Sequence, residues 1–551
     1  MKKILILITA VIIASCSDNL ESLNENIKDP SSVPGETLFT GAQKNLVDQM
    51  VDLNVNNNNT KLWAQYLQET TYTDESNYDQ VTRTIPATHW SVLYKDVLKD
   101  LDEASKIITD TKYSLPEDIE TKANKLQVIE ILTIYAYSVL VETFGNVPYT
   151  EALDIEDLLP AYDDGETVYK ALIGRLTTAI DALDTSKGSF GAADNIYGGD
   201  VSLWKKFAAS LKLRMGILLS DVDNAFAKTT VESAVASGVF TSRADNANFT
   251  YLSAAPNTNP VHANLVLSGR ADFVAAATIV DMMNTLNDPR RPLFFEKTTI
   301  TIGTITSTTT AGTTTTLNFE DPIDAPIEIG DEAFNGSVSL GTISGISVSS
   351  IDIENISETP EVDNAISFSG YKGGTIGSTS SFSTHSHVSD YVEAAATPGV
   401  IFDYAEVEFL LAEAAARTFA VGGTAKSHYD IAVVESIESW GGSNADAMTY
   451  LAQPTVDYDT ALAASTATTP WKEVIGNQKW IALFNRGIEA WTSIRLLDFP
   501  ILATPAEPVS GFPNRYTYPI IEQTLNGSNW QAASTAIGGD LPETKLFWDL
   551  N

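Results

Sequence analysis

Cysteine is almost missing: Cys16 is the only one in 551 residues. The chain therefore has no disulfide framework and no cysteine-built metal site. Histidine is scarce, with five in all. His385 and His387 form an H-x-H pair, a spacing that can hold zinc from a strand. They sit in a Gly/Ser-rich stretch with no third His or Cys nearby, so the pair reads as loop. No metal and no cofactor is expected. Basic residues are few: 34 Lys and Arg stand against 71 Asp and Glu, a net charge of −37. No basic stripe can be assembled at that balance, which argues against nucleic acid as a partner. A polyanion is repelled too, unless a local basic pocket exists. The motifs H-E-x-x-H, G-x-S-x-G, G-x-x-x-x-G-K-[ST] and G-x-G-x-x-G are all missing. With 71 carboxylates some pair will always stand at glycosidase-like separation, so carboxylate content is no argument for hydrolysis. No enzyme is expected. Beyond the N-terminus no apolar run reaches the ~18 residues that a membrane-spanning helix needs.

What is present begins at the N-terminus. Lys2 and Lys3 precede the apolar run Ile4 to Ala14, too short to span a bilayer. It ends Ile13-Ala14-Ser15-Cys16, small residues before a lone Cys. This resembles a bacterial lipobox, where cleavage precedes the Cys and the Cys takes lipid. Residues 1–15 are expected to be a lipoprotein signal peptide and Cys16 the lipidation site. Residues 16–35, polar and acidic at first and turn-rich later, read as a surface tether.

Helical periodicity dominates the rest. Leu38, Ala42, Leu46 and Met50 step by four. Trp90, Leu93, Tyr94, Val97, Leu98 and Leu101 follow a three-four rhythm, and Lys125–Thr143, Thr167–Leu183, Ser202–Leu219 and Phe402–Arg417 continue it. In Asn477 to Pro500 the large residues Trp480, Ile481, Phe484, Ile488, Trp491 and Ile494 share one face. That spacing predicts a single long core helix stopped at Pro500.

Two stretches differ. Trp63 to Gln80 places Trp63, Tyr66, Tyr72 and Tyr78 among amides and carboxylates. Leu62, Tyr66 and Glu69 could share a helix face, which would make Tyr66 core. Tyr72 and Tyr78 lie where aliphatics are few. Rings beside amides and carboxylates suit a sugar, since the ring stacks on C–H surface and the polar groups bond hydroxyls. Trp63, Tyr72, Asp74, Asn77 and Tyr78 are the candidate carbohydrate-binding residues. A loop tethered by half-buried tyrosines fits the same composition. The second stretch, residues 298–365, is Thr/Ser-rich, with 12 threonines in 298–319. Val338/Leu340, Ile346/Val348 and Ile351/Ile353 alternate with polar residues, so a β-rich insertion is expected. For 304–316 a Thr/Ser linker fits the composition equally.

Several phrases together resemble one family. They are the lipobox, Phe144–Leu153 (FGNVPYTEAL), Tyr404–Arg417 (YAEVEFLLAEAAAR), Asn477–Pro500, Tyr518–Asn526 (YPIIEQTLN) and Glu543–Asp549 (ETKLFWD). In this order they resemble the SusD/RagB-like nutrient-binding lipoproteins of the Bacteroidetes outer membrane. The resemblance implies a mainly α fold of tetratricopeptide-like helical hairpins with an irregular region, here residues 36–551 interrupted by the insertion. It implies a lipid-anchored protein at the cell surface, lying as a lid over a TonB-dependent (SusC-like) outer-membrane barrel. It implies capture of oligosaccharides for that barrel, or of peptides in some branches. A purely structural lid is the remaining alternative. The family has no fixed ligand motif, so the candidate residues rest on the aromatic argument.

Overall fold

The computed structural model describes residues 33–311, 314–319, 327–330, 353–354 and 365–550. Cys16, the expected signal peptide and most of the expected tether lie outside the described residues, as do Val338, Leu340, Ile346, Val348 and Ile351.

The fold is mainly helical. Helices start where an acidic side chain satisfies the first free amides. Asp164 accepts from the Thr167 amide, Asp200 from Ser202 and Leu203, Asp223 from Phe226, and Asp403 from Glu406. Helices then pack in pairs: Gly35–Val51 against Lys99–Asp110, Pro116–Phe144 against Gly165–Ala182, Val201–Leu218 against Asn224–Ser237, and Tyr404–Ala416 against Ala425–Ser439. Pro116–Phe144 is apolar and long enough to cross a membrane, but its most apolar stretch is 78% buried inside the protein. It is a core helix, walled by its neighbours.

The rhythm through Trp90 to Leu101 is helical as expected, with one widening. Ile85–Ser91 runs through a π-type stretch, Val92–Leu98, into Lys99–Asp110. Such wide turns interrupt α geometry without ending the helix.

Asn477–Pro500 departs from expectation. It is not one helix but the end of Pro470–Ala482, a turn, and then Gly487–Leu497. Asn485 takes a left-handed φ of 69° inside that turn, a conformation that Asn tolerates better than most residues. Trp480, Phe484, Ile488 and Trp491 are all buried, as the spacing predicts, but in two different clusters. The polar residues among them are core groups with partners. Gln478 bonds Arg290 and the Tyr450 hydroxyl. Arg495 donates to the Glu142 and Asn514 carbonyls and lies 3.7 Å over the Trp491 ring. Arg486 shares Glu406 with Arg214. Burial opposes ionisation of Glu406, but the two arginines outweigh it and hold the carboxyl at about 2.

The insertion is β-structured where it is described. Thr298–Ala311 is flanked by Thr314–Phe319 and Ala365–Gly370, with Ile327–Gly330 and Ile353–Glu354 at the two edges, all antiparallel. Two further small pairings frame the region that matters for function. Leu67–Glu69 pairs with Phe273–Ala275, and Ala247–Phe249 pairs with Gly399–Phe402.

Candidate functional site

Leu67–Glu69 ends in the loop from Thr70 to Arg83, which carries most of the candidate residues. The loop is pinned at its start. The Thr70 amide donates to Asp272, and the Ser380 amide to Thr70. In the middle, Asn77 Nδ2 donates to the Thr73 and Gly377 carbonyls, while its Oδ1 accepts from the Glu507 amide. A Cβ at Gly377 would lie 2.3 Å from Asn77 Oδ1, so this close approach requires glycine.

The structure separates the candidates. Trp63 is 0% exposed; its indole donates to the Glu75 carbonyl, and its ring sits 5.0 Å from Trp491 and 5.2 Å from Tyr516. Tyr78 is 5% exposed and meets Phe512 edge-on. Rings packed on all sides have no face left for a sugar. Asn77 is buried with its amide fully used as a loop staple. These three, expected at a ligand surface, are instead buried within the fold. Tyr66 is core, bonded through its hydroxyl to the Trp480 carbonyl. Phe294, another aromatic of the sequence, is stacked on Phe484 and buried.

Tyr72 is different. It is 73% exposed and held at a φ of 54°, so the loop spends strain to carry a large ring outward. Asp74, close by, is half-exposed and 4.0 Å from Arg83. Tyr72 lines a cleft of about 250 Å³ together with Asn54, Asn56, Thr71, Asn264 and Ser268, and with Phe273. Arg83 and Arg270 also reach the cleft, but each is matched: Arg83 to Glu75 at 2.6 Å and Arg270 to Asp272 at 2.6 Å. Glu69 lies at its inner side, buried. Burial, then the hydrogen bond and charge of Glu75, raise its carboxyl well above the usual range. The cleft thus offers a ring face, amides and hydroxyls, with little unmatched charge.

Asn54, Asn264, Arg270 and Asp272 were not legible as site residues. They come from segments some two hundred residues apart, brought together by the pairing of Leu67–Glu69 with Phe273–Ala275 and by the bond from Asn264 Nδ2 to Asp52. His385 and His387 lie in the loop that staples Thr70 to Arg83. His387 stacks on Phe382, and His385 bonds the Ser381 carbonyl.

The model of a family described as starch-binding and associating with the outer membrane matches residues 27–321 and 353–519. The chain belongs to the SusD-like family. No curated protein matches it. Among solved structures, a chitin-binding protein is similar with a TM-score of 0.70 at 23% identity, covering 94% of this chain and 100% of that one. A chitin-binding SusD homologue from Flavobacterium johnsoniae is similar with a TM-score of 0.67 at 22% identity, covering 94% and 98%. A SusD homologue from Bacteroides uniformis is similar with a TM-score of 0.67 at 24% identity, covering 93% and 99%. At these identities the likeness is one of fold.

Proposed function

We propose that this protein is a cell-surface, lipid-anchored glycan-binding protein that captures neutral oligosaccharides and passes them to a TonB-dependent outer-membrane barrel. The observation that carries the ligand class is Tyr72: an exposed ring beside a cleft of amides and hydroxyls whose two guanidiniums are already paired. An anionic ligand would have to displace Glu75 or Asp272 to use those arginines. A neutral sugar needs only the ring face and the polar edges. Tyr72 supplies the stacking surface and Asp74 a hydroxyl acceptor, with Asn54, Asn56 and Asn264 on the walls. The family description supports association with the outer membrane. The lipobox-like sequence ending at Cys16 supports the anchor.

The test is titration calorimetry of the soluble protein, begun after Cys16, against neutral oligosaccharides of defined linkage. Chito-oligosaccharides belong in the panel because two similar structures carry that specificity in their names. Micromolar-to-millimolar binding without shortening of the glycan is the expected result. Binding of peptides but no glycan would replace the ligand class. Binding of neither would leave the structural-lid reading.

A further inference from the structure

Far along the chain from the cleft, large aliphatic side chains stand in solvent. Ile155 is 77% exposed, Leu158 79% and Leu159 53%. Ile521 and Leu525, one helical turn apart on Ile520–Leu525, are 58% and 64% exposed. The two groups are stitched side by side. Asn526 Nδ2 donates to the Pro160 carbonyl and Asn529 Nδ2 to the Leu159 carbonyl, each at 2.9 Å, and the Tyr162 hydroxyl donates to Glu522 at 2.8 Å.

This is not a slack loop. Asp154 accepts from the Glu156 amide, Asp157 from the Leu159 amide, and Glu151 from the Ala161 amide. Asp163 fixes the Tyr149 and Thr150 amides. Carboxylates thus hold the Glu156, Leu159 and Ala161 amides, and the aliphatics are left outside. Contiguous apolar surface held in a fixed shape marks an interaction site, and a pre-ordered loop loses little entropy on docking.

The charge around it selects the partner. Residues 151–164 hold Glu151, Asp154, Glu156, Asp157, Asp163 and Asp164 and no Lys or Arg, and Glu522 adds another carboxylate. Pressing this rim against a second copy would set like charges face to face. Anionic headgroups would be repelled in the same way. An apolar patch rimmed by lysine and arginine satisfies both features at once.

We propose that Ile155, Leu158, Leu159, Ile521 and Leu525 form the docking surface for an outer-membrane protein with an apolar centre and a basic rim. This rests on the reading that the chain works with an outer-membrane barrel. The test uses the full-length lipidated protein in its own membrane, purified in mild detergent. A photo-crosslinking residue at Leu158 should join one outer-membrane protein, through a segment with apolar residues flanked by Lys or Arg. The variants Leu158→Ser/Leu159→Ser and Ile521→Ser/Leu525→Ser should each weaken that complex about tenfold or more. Their side chains are already in water, so melting temperature and glycan affinity should hold. Co-purification of the barrel at undiminished affinity in both variants would overturn this surface and leave the functional reading standing. Crosslinks only to lipid or to a second copy would overturn it as well. A wild-type protein that comes out solitary would overturn both.

Discussion

The Tyr66 hydroxyl donates to the Trp480 carbonyl at 2.5 Å, while the Trp480 indole donates to the Ala64 carbonyl at 2.9 Å and the two rings stack 5.3 Å apart. The pair ties the segment leading into the candidate site to a helix near the other end of the chain. Tyr66→Phe removes the donor and leaves a buried carbonyl unpaired, which costs about 1–3 kcal/mol. Trp480→Ala empties a fully buried site, at about 3–5 kcal/mol, and Trp491→Ala is expected in the same range. Denaturant midpoints should fall in that order with an unchanged slope. An unchanged midpoint in either Trp variant would mean that this region is not core.

Gly487 opens the helix after the turn. A Cβ there would lie 2.5 Å from Thr60 Oγ1 and 2.6 Å from the Lys61 amide nitrogen. Thr60 and Lys61 are buried and have little room to retreat. Gly487→Ala should therefore destabilise by about 1–3 kcal/mol, the range of overpacked cores, although alanine is the better helix former. A stabilised variant would show that the two helices can slide apart.

The same region shows what the sequence could and could not disclose. The turn between Ala482 and Gly487 takes up about one helical turn of residues. The apolar phase therefore continues across it, and a periodic reading passes over the break. Burial of Trp480, Phe484, Ile488 and Trp491 was legible; their division between two clusters was not. After Lys297 the strands Thr298–Ala311 and Thr314–Phe319 fall in the threonine-rich stretch, whereas the alternating residues that carried the β expectation lie, apart from Ile353, outside the described residues. Trp63 and Tyr78 were misleading because composition is local and burial is not. Amides crowd around them in sequence, but Tyr516, Trp491 and Phe512 enclose them in space. Tyr72 has the same sequence neighbours but, among the described residues, no ring packs against it, and it stays 73% exposed.

The buried carboxyl at the cleft gives a pH signature. Glu69 accepts from the Ser76 amide and hydroxyl, and burial together with Glu75 pushes it up to about 9. Glu75, itself raised chiefly by burial, is paired with Arg83. In the unfolded chain Glu69 titrates near ~4.3. The folded state therefore holds the extra proton across this interval, and stability declines as pH rises through it. Glu69→Gln cannot ionise and should flatten that decline. Unfolding of both proteins from about pH 5 to about pH 8.5 measures the difference. Parallel profiles would assign the titration to another group.

At the N-terminus, Cys16→Ala removes the one thiol that could carry lipid. The expected product is an unprocessed or mislocalised precursor without lipid, read by mass spectrometry and surface proteolysis. A normally processed, surface-exposed protein with alanine at this position would remove the anchor from the proposal.

Tyr72 decides the ligand site. Its ring is the large exposed aromatic of the cleft, so it should carry most of the stacking energy, ~1–2 kcal/mol at about 25 cal/mol per Å² of apolar surface covered. Hydroxyl contacts with Asp74 or the asparagines give direction but little net affinity, since water competes for them. Tyr72→Ala should thus weaken glycan binding about five- to thirtyfold. Folding should be nearly unaffected, because the side chain leaves no cavity behind. Tyr72→Gly is the sharper control. The residue holds a φ of 54°, which glycine adopts without strain at the cost of a more flexible unfolded chain. Stability should stay close to wild type while affinity drops as far as in the alanine variant. If both variants bind the wild-type glycan with undiminished affinity, the ring is not the platform and the ligand lies elsewhere. If both lose affinity and stability together, Tyr72 holds the loop rather than the sugar. Affinity lost alone, measured by calorimetry on folded protein, is the result that makes the cleft the binding site.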